Sequence, residues 1–246
     1  MLLALISDIH ANDLALQACL RHCAALGVGR IVVLGDIVGY GAEPEATVRR
    51  VSGLVEAGAI VVLGNHDQAI DTPSVQMNET ARRAIAWTRP RLSETSRAFL
   101  RGLPLTCTLD NFLFVHADAS APAKWKYVTG AAEARISMAA VKARVTFCGH
   151  THVPMLYCLT AAAKAVAHGP SVDRPVPLLE QRQWLAVIGA AGQPRDGNPA
   201  AAFATFDTVS RELTFRRAPY NVEAAAAKLR AAGLPEALAL RLLQGK

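Results

Sequence analysis

Residues 59–67 read AIVVLGNHD: five apolar residues, a glycine, then three polar residues in a row. A short apolar run rich in β-branched side chains and closed by glycine predicts a strand buried on both faces. The same design occurs at residues 31–36, IVVLGD, and in looser form at residues 2–10, LLALISDIH, where 2–7 reads as the strand. Two helical patterns separate these runs. Over 13–26, Leu14, Leu16, Leu20, Cys23 and Leu26 recur at near-helical spacing before Gly27, and 44–57 carries Pro44 in its first turn. Strand, helix, strand, helix, strand predicts a parallel sheet with right-handed crossovers.

Outward from this core, residues 74–103 read as helical, with breaks at Pro90 and near Leu92–Ser93. FLFVH at 112–116, VTFCGH at 145–150, MLYCL at 155–159 and WLAVIG at 184–189 read as strands. FATFDT at 203–208 and ELTFRRA at 212–218 predict a hairpin around Val209–Arg211, and 221–232 and 235–244 are Ala/Leu-rich helices. Residues 168–182, with three prolines and little periodicity, read as a surface loop. No repeat or linker divides the chain, so the expectation is one α/β domain over 1–246: two sheets packed as a sandwich, with helices outside.

Composition narrows the class. A hydrophobic fraction of 52% over 246 residues is that of a packed protein with a sizeable core. No apolar stretch reaches the roughly 18 residues of a membrane span, and Met1 runs into LLALIS with no basic region before it. The expected location is therefore the cytoplasm, with no membrane partner. Cys19, Cys23, Cys107, Cys148 and Cys158 are odd in number and include no C-x-x-C pair, which predicts reduced thiols. The net charge of +6 attracts anions, but the arginines are scattered singly or in pairs, so long nucleic acid is not an expected partner.

Five of the seven histidines fall in polar clusters just behind apolar runs: Asp8-Ile9-His10, Gly35-Asp36, Gly64-Asn65-His66-Asp67, His116 and Gly149-His150-Thr151-His152. Sites in open α/β sheets form beyond the carboxyl ends of the strands, so five segments deliver these groups to one place. In Asp8-x-His10 and His150-x-His152, extended backbone would point both side chains the same way, and each pair could grip one ion. Carboxylate with imidazole suits Mn, Fe, Zn or Ni better than Ca. A carboxylate can also bridge two ions about 3.5–4 Å apart, the spacing of a two-metal hydrolytic site.

The order D-x-H, G-D, G-N-H-D, H, G-H-T-H resembles the signature of the calcineurin-like metallophosphoesterases. GDIVGYG at 35–41, VVLGNHD at 61–67, GHTHVP at 149–154, GQPRDG at 192–197 and the tail APYNVEA at 218–224 resemble its small bacterial and archaeal phosphodiesterase-type, diadenosine tetraphosphatase-like members. The resemblance spans about residues 2–224 and implies two divalent metal ions, among Mn, Fe, Zn, Ni and Mg. It implies that Asp8, His10, Asp36 and His152 hold the first and that Asp36, bridging, completes the second with Asn65, His116 and His150. His66 would protonate or stabilise the leaving oxygen, and Asp67 would orient His66. The implied activity is hydrolysis of small phosphate esters or nucleotides by a metal-bridging hydroxide. The alternative is a protein-binding scaffold that has lost catalysis, against which stand the seven ligand positions and His66, all present.

Three departures bear on substrate. Gly39-Tyr40 stands where phosphoprotein phosphatases of the family carry Asp-Arg, which favours diesters or small phosphorylated molecules over phosphoproteins. Ala11 replaces a common glycine, with Asn12 as a helix N-cap. Val187-Ile188-Gly189-Ala190 replaces a polar N-P-G-S. Tyr40 and Arg195 are candidates for substrate contact or ordinary loop residues, and Trp125, Lys126 and Tyr127 form either a lid or an ordinary amphipathic loop. His22 and His168 carry no assignment.

Overall fold

The computed structural model describes residues 1–73 and 75–246. Residue 74, the first of the stretch expected to be helical, lies outside the described residues. β1 (Leu2–Ile6), β2 (Arg30–Val33) and β3 (Ile60–Val61) alternate with α1 (Asp13–Ala25) and α2 (Pro44–Glu56) and pair in parallel. β1 pairs on its other side with β11 (Ala201–Asp207), antiparallel, Leu2 opposite Asp207 and Leu5 opposite Ala204. β12 (Glu212–Ala218) and β9 (Pro175–Pro177) complete a six-stranded sheet in the order β3-β2-β1-β11-β12-β9. The second sheet runs β4-β5-β6-β10-β7-β8. Its strands are β4 (Thr106–Leu109), β5 (Phe112–Val115), β6 (Val145–Cys148), β7 (Met155–Leu159), β8 (Ala165–His168) and β10 (Gln183–Val187).

The pleat explains why the central strands show no alternation of polar and apolar residues. Leu3 and Leu5 of β1 face the second sheet and pack in one cluster with Phe112, Phe114, Phe147 and Phe206. Ala4 and Ile6 face the other way, into a cluster with Leu16, Cys19, Val48 and Val51 of α1 and α2. Both faces are apolar because both are covered. α6 (Ala131–Ala139) covers the outer face of the second sheet through Ala134 and Met138, which join Leu113, Leu185 and Val187.

Three local expectations change. The proline-rich stretch 168–182 is not all loop, because β9 forms an edge strand on β12, Val176 opposite Leu213. An edge strand bonds on one side only, so it tolerates Pro175 and Pro177 and shows little periodicity. Within 75–103 the helical part begins only at Glu79: α4 (Glu79–Thr88) and α5 (Glu94–Arg101) are separated at the expected breaks by a 3-10 turn at Arg89–Arg91 and by Leu92–Ser93. The polar cluster at 65–69 itself folds as a short helix, α3 (Asn65–Ala69). α7 (Val222–Ala231) and α8 (Glu236–Gln244) pack on Tyr40 and α4 through Ala226, Leu229 and Leu238. No helix among the described residues is long and apolar enough to cross a membrane.

Candidate metal centre

Every strand that feeds the site stops one to four residues short of its polar group. Hydrogen bonds between the loops then lock those groups together. Asp8 N–H donates to Gly35 O (3.1 Å), His10 N–H to Asp36 O (2.9 Å), Gly149 N–H to His116 O (2.9 Å) and Gly192 N–H to Asp8 O (2.9 Å). The backbone at the site is not extended. Asp8, His10, Asp36, His150 and His152 all have φ between 50° and 68°. Asp and His tolerate this left-handed region better than most residues, but each still stores about 1–3 kcal/mol of strain. The expectation that His150 and His152 grip one ion together therefore fails. The turn sends them to separate clusters, His152 with Asp8 and His10, and His150 with Asp36 and His116. Gly149 makes the close approach possible: a Cβ there would collide with Ser7 Oγ and Asp8 Oδ2.

The seven candidate ligands Asp8, His10, Asp36, Asn65, His116, His150 and His152 are all buried and converge. Asp36 joins the two groups: its Oδ2 lies 3.7 Å from His10 Nε2 and 3.4 Å from His116 Nε2, while its Oδ1 accepts from the His66 N–H at 2.8 Å. Asp8 Oδ2 accepts from Ser7 Oγ (2.7 Å) and His150 N–H (2.9 Å). Asp8 Oδ1, 3.2 Å from His152 Nε2, is buried with no hydrogen-bond partner. Asn65 Oδ1 lies 3.2 Å from His116 Nε2.

The outer ring nitrogens settle the tautomers. Nδ1 of His10, His116 and His152 meets the carbonyl oxygens of Val38 (3.1 Å), Leu34 (2.7 Å) and Gln193 (2.7 Å). Nε2 of His150 meets the carbonyl of Trp125 at 2.9 Å. A carbonyl only accepts, so each of these nitrogens carries a proton, and a ring in its neutral form turns a bare nitrogen inward. Inward, His10 Nε2 faces His152 Nε2 at 3.1 Å, and His116 Nε2 faces His150 Nδ1 at 3.1 Å. Two pairs of opposed lone pairs, each beside a carboxylate oxygen, fit cations between them. The site's pKa values carry the same message. Burial opposes charge on His116, yet Asp36 and Asp8 push it up to about 9, so a proton supplies one missing positive charge. Burial and the His116 charge push His150 down to about 3. Burial would raise Asp8, but His152 holds it below the usual carboxylate range.

His66 is held differently. Its ring sits between His10 (centroids 4.7 Å) and Tyr40 (4.5 Å), and its Nδ1 is buried without a partner. A Cβ on Gly39 would strike that nitrogen. Burial, with the charges of His152 and His116, pushes His66 down to about 4. Asp67, expected to orient His66, makes no hydrogen bond to that ring among the described residues. Its Oδ1 accepts from Ile37 N–H (2.8 Å) and Val38 N–H (3.1 Å), and its Oδ2 from Gly64 N–H (3.0 Å). Asp67 thus staples the 35–38 loop to the start of α3 and acts on His66 through the backbone. Burial and Asp36 push its carboxyl up to about 7.

Of the loop residues, Tyr40 edges His10 at 4.7 Å. The Arg195 guanidinium carbon lies 5.8 Å from the Tyr40 ring centroid. Arg195 Nη2 donates to Gln193 Oε1 at 3.0 Å, while its Nε is buried and unpaired. Tyr127 stacks on His150 with centroids 4.0 Å apart, and Trp125 Nε1 donates to Gln68 Oε1 at 2.9 Å. The segment Trp125–Tyr127 therefore lies against the site. Ser7, Gln68 and Gln193 were not singled out in the sequence. Two of them carry a signal in the sequence: Ser7 is the polar residue closing the run LLALIS, and Gln193 lies in GQPRDG at 192–197.

Residues 1–211 match the calcineurin-like phosphoesterase superfamily domain. The chain is 31% identical to the uncharacterized protein MJ0912 of Methanocaldococcus jannaschii, over 100% of this chain and 98% of that one. Its fold superposes on a metallophosphoesterase from Sphaerobacter thermophilus with a TM-score of 0.88 and 35% identity, covering 100% and 99% of the two chains. The hypothetical protein PH1004 of Pyrococcus horikoshii shares the fold at a TM-score of 0.80 with 17% identity, covering 100% and 98%.

Proposed function

Because the chain belongs to the calcineurin-like phosphoesterase superfamily, we propose that it is a phosphodiesterase acting on small phosphate esters or nucleotides, with two divalent metals in one site. The observation that carries this reading is the two pairs of inward-facing ring nitrogens, His10 with His152 and His116 with His150, on either side of Asp36. Asp8, His10, Asp36 and His152 would hold one ion, and Asp36, Asn65, His116 and His150 the other. Divalent ions there supply the acidity that makes water a nucleophile near neutral pH and the charge that screens phosphate oxygens.

The remaining steps belong to the chain's own side chains. His66 faces the ester and assists departure of the leaving oxygen. Its Nδ1 abuts the Gly39 loop, so Nε2 is the nitrogen that exchanges the proton. With a pKa near 4 in the metal-free site the ring is neutral at pH 7, and the negative charge of a bound phosphate raises its proton affinity. Arg195 brings an unpaired buried N–H to the Tyr40 side, suited to one free oxygen of a diester monoanion. Tyr40 occupies the position of the arginine that clamps phosphoprotein dianions, which supports the preference for diesters. Ser7, Leu34, Val38 and Gln193 fix ligand orientation from behind.

The test is hydrolysis of bis-p-nitrophenyl phosphate and p-nitrophenyl phosphate after chelation, with Mn²⁺, Ni²⁺, Zn²⁺ or Mg²⁺ restored and Asp36→Asn alongside. Metal-restored diester hydrolysis that the variant lacks supports the reading. A folded, metal-loaded protein inactive on both esters would leave the scaffold reading in its place.

A further inference from the structure

On the side of His150 and Asn65 the centre opens into a cleft of ≈ 580 Å³. Those two residues form its inner end, and Gln68, Gln76, Lys124, Trp125 and Tyr127 line its walls. The volume is that of a site for a nucleotide-sized ligand. Beyond His150, the lining combines the rings of Trp125 and Tyr127, the three primary amides of Asn65, Gln68 and Gln76, and the ammonium of Lys124.

The aromatic walls are set in advance. Tyr127 lies on His150 at an interplanar angle of 13° and remains 52% exposed, so one ring face is covered and the other is free. Trp125 is pinned by the bond from its indole N–H to Gln68 Oε1. That bond uses the Gln68 oxygen and leaves its two amide N–H donors, while Gln76 on the exposed rim offers a donor and an acceptor. Preorganised rings cost little entropy when a planar group arrives. Amides read the edge of a heterocycle, and stacking on aromatic rings accepts any base. Lys124 alone supplies positive charge, enough for one further anionic group and too little for a polynucleotide track.

We propose that this cleft binds the base of a nucleotide ester whose phosphate lies at the metal centre. The proposal rests on the hydrolase reading above and names the organic half of its substrate. A simple alkyl or sugar phosphate would leave the cleft unused, so the base accounts for the difference between good and poor substrates.

The experiment is calorimetric titration of the metal-reconstituted full chain with adenosine 5′-monophosphate and with ribose 5-phosphate, which differ by the base. One stacked base is worth about tenfold or more in affinity, so the native protein should bind the nucleotide at least about tenfold tighter. In the double variant Gln76→Ala, Lys124→Ala, both at exposed positions, that advantage should shrink while the melting temperature holds. Equal affinities for the two ligands overturn the proposal, as does a base advantage that the double variant keeps in full. Hydrolysis of bis-p-nitrophenyl phosphate separates the two readings. Hydrolysis without base preference sinks this proposal alone. Base preference without any ester hydrolysis sinks the hydrolase reading and leaves the cleft a nucleotide-binding site.

Discussion

His10 Nε2 and His152 Nε2 face each other at 3.1 Å, and each ring has its proton committed to a carbonyl on its far side. No neutral arrangement that keeps both of those carbonyl bonds makes a hydrogen bond of that contact. A cation between the rings, whether a proton or a metal, turns it from repulsive to attractive, so a metal bound there would couple binding to stability.

The protein should therefore melt higher with metal than without. A ligand at about 1,000 times its dissociation constant adds about 4 kcal/mol, and about 2–4 °C accompanies each kcal/mol in a domain of this size. Differential scanning calorimetry before and after chelation measures the shift. An unchanged melting temperature would remove the metal from the fold's energetics.

His66→Ala should keep both metals and lose about 10²–10⁴-fold in kcat, because the ring touches His10 and Tyr40 but is held by neither. Elemental analysis alongside the kinetics decides the matter: empty sites in this variant would make His66 a ligand.

On the proposed two-metal reading, Tyr127→Ala should lower metal occupancy from two ions towards one. Tyr127 and the Trp125 carbonyl are what hold His150 with Nδ1 inward, whereas His10, His116 and His152 are tied directly to the strand-end loops and Gln193. Stoichiometry at a fixed free metal concentration is the readout. Two full equivalents in the variant would show that His150 needs no such support.

Asp13→Asn should destabilise the protein by about 1–3 kcal/mol at pH 7. Asp13 opens α1, and Arg50 of α2 grips both its oxygens, at 2.6 and 2.9 Å. Burial alone would raise this carboxyl, but Arg50 and Gln17 hold it below the ordinary value of 3.8. Its folded pKa is depressed, so its contribution is complete above 3.8 and disappears as pH falls through the folded value. Urea titrations of both chelated proteins should show a gap at pH 7 that closes in acid. A gap that persists in acid would trace the loss to packing instead.

Much of this was legible in the chain because the strands are short, doubly buried and each closed by a polar residue. IVVLGD and AIVVLGNHD announce both the parallel sheet and the groups it delivers, and Asn12 does cap α1, accepting from Ala15 N–H. The backbone at the ligands was not legible. A spacing of two suggests extended chain, and nothing in Asp8-x-His10 or His150-x-His152 announces φ near +60°, which the cross-loop hydrogen bonds impose. The role of Asp67 was hidden for a similar reason, since its partners Ile37 and Val38 lie 30 and 29 residues away. β9 carries no alternating pattern, because two of its three residues are proline.

The pairing of β1 with β11 sets a timetable for biosynthesis. Leu2–Leu5 leave the ribosome roughly 200 residues before Ala204–Asp207, their partners in the sheet. At about 5–20 residues per second that interval is about 10–40 s. Through most of it Asp8 and His10 are already present while Gln193, whose carbonyl orients His152, has yet to be made. A nascent chain thus carries exposed strands and half a chelate, open to any metal or chaperone that meets it. The finished centre can close only once the second half of the polypeptide has emerged.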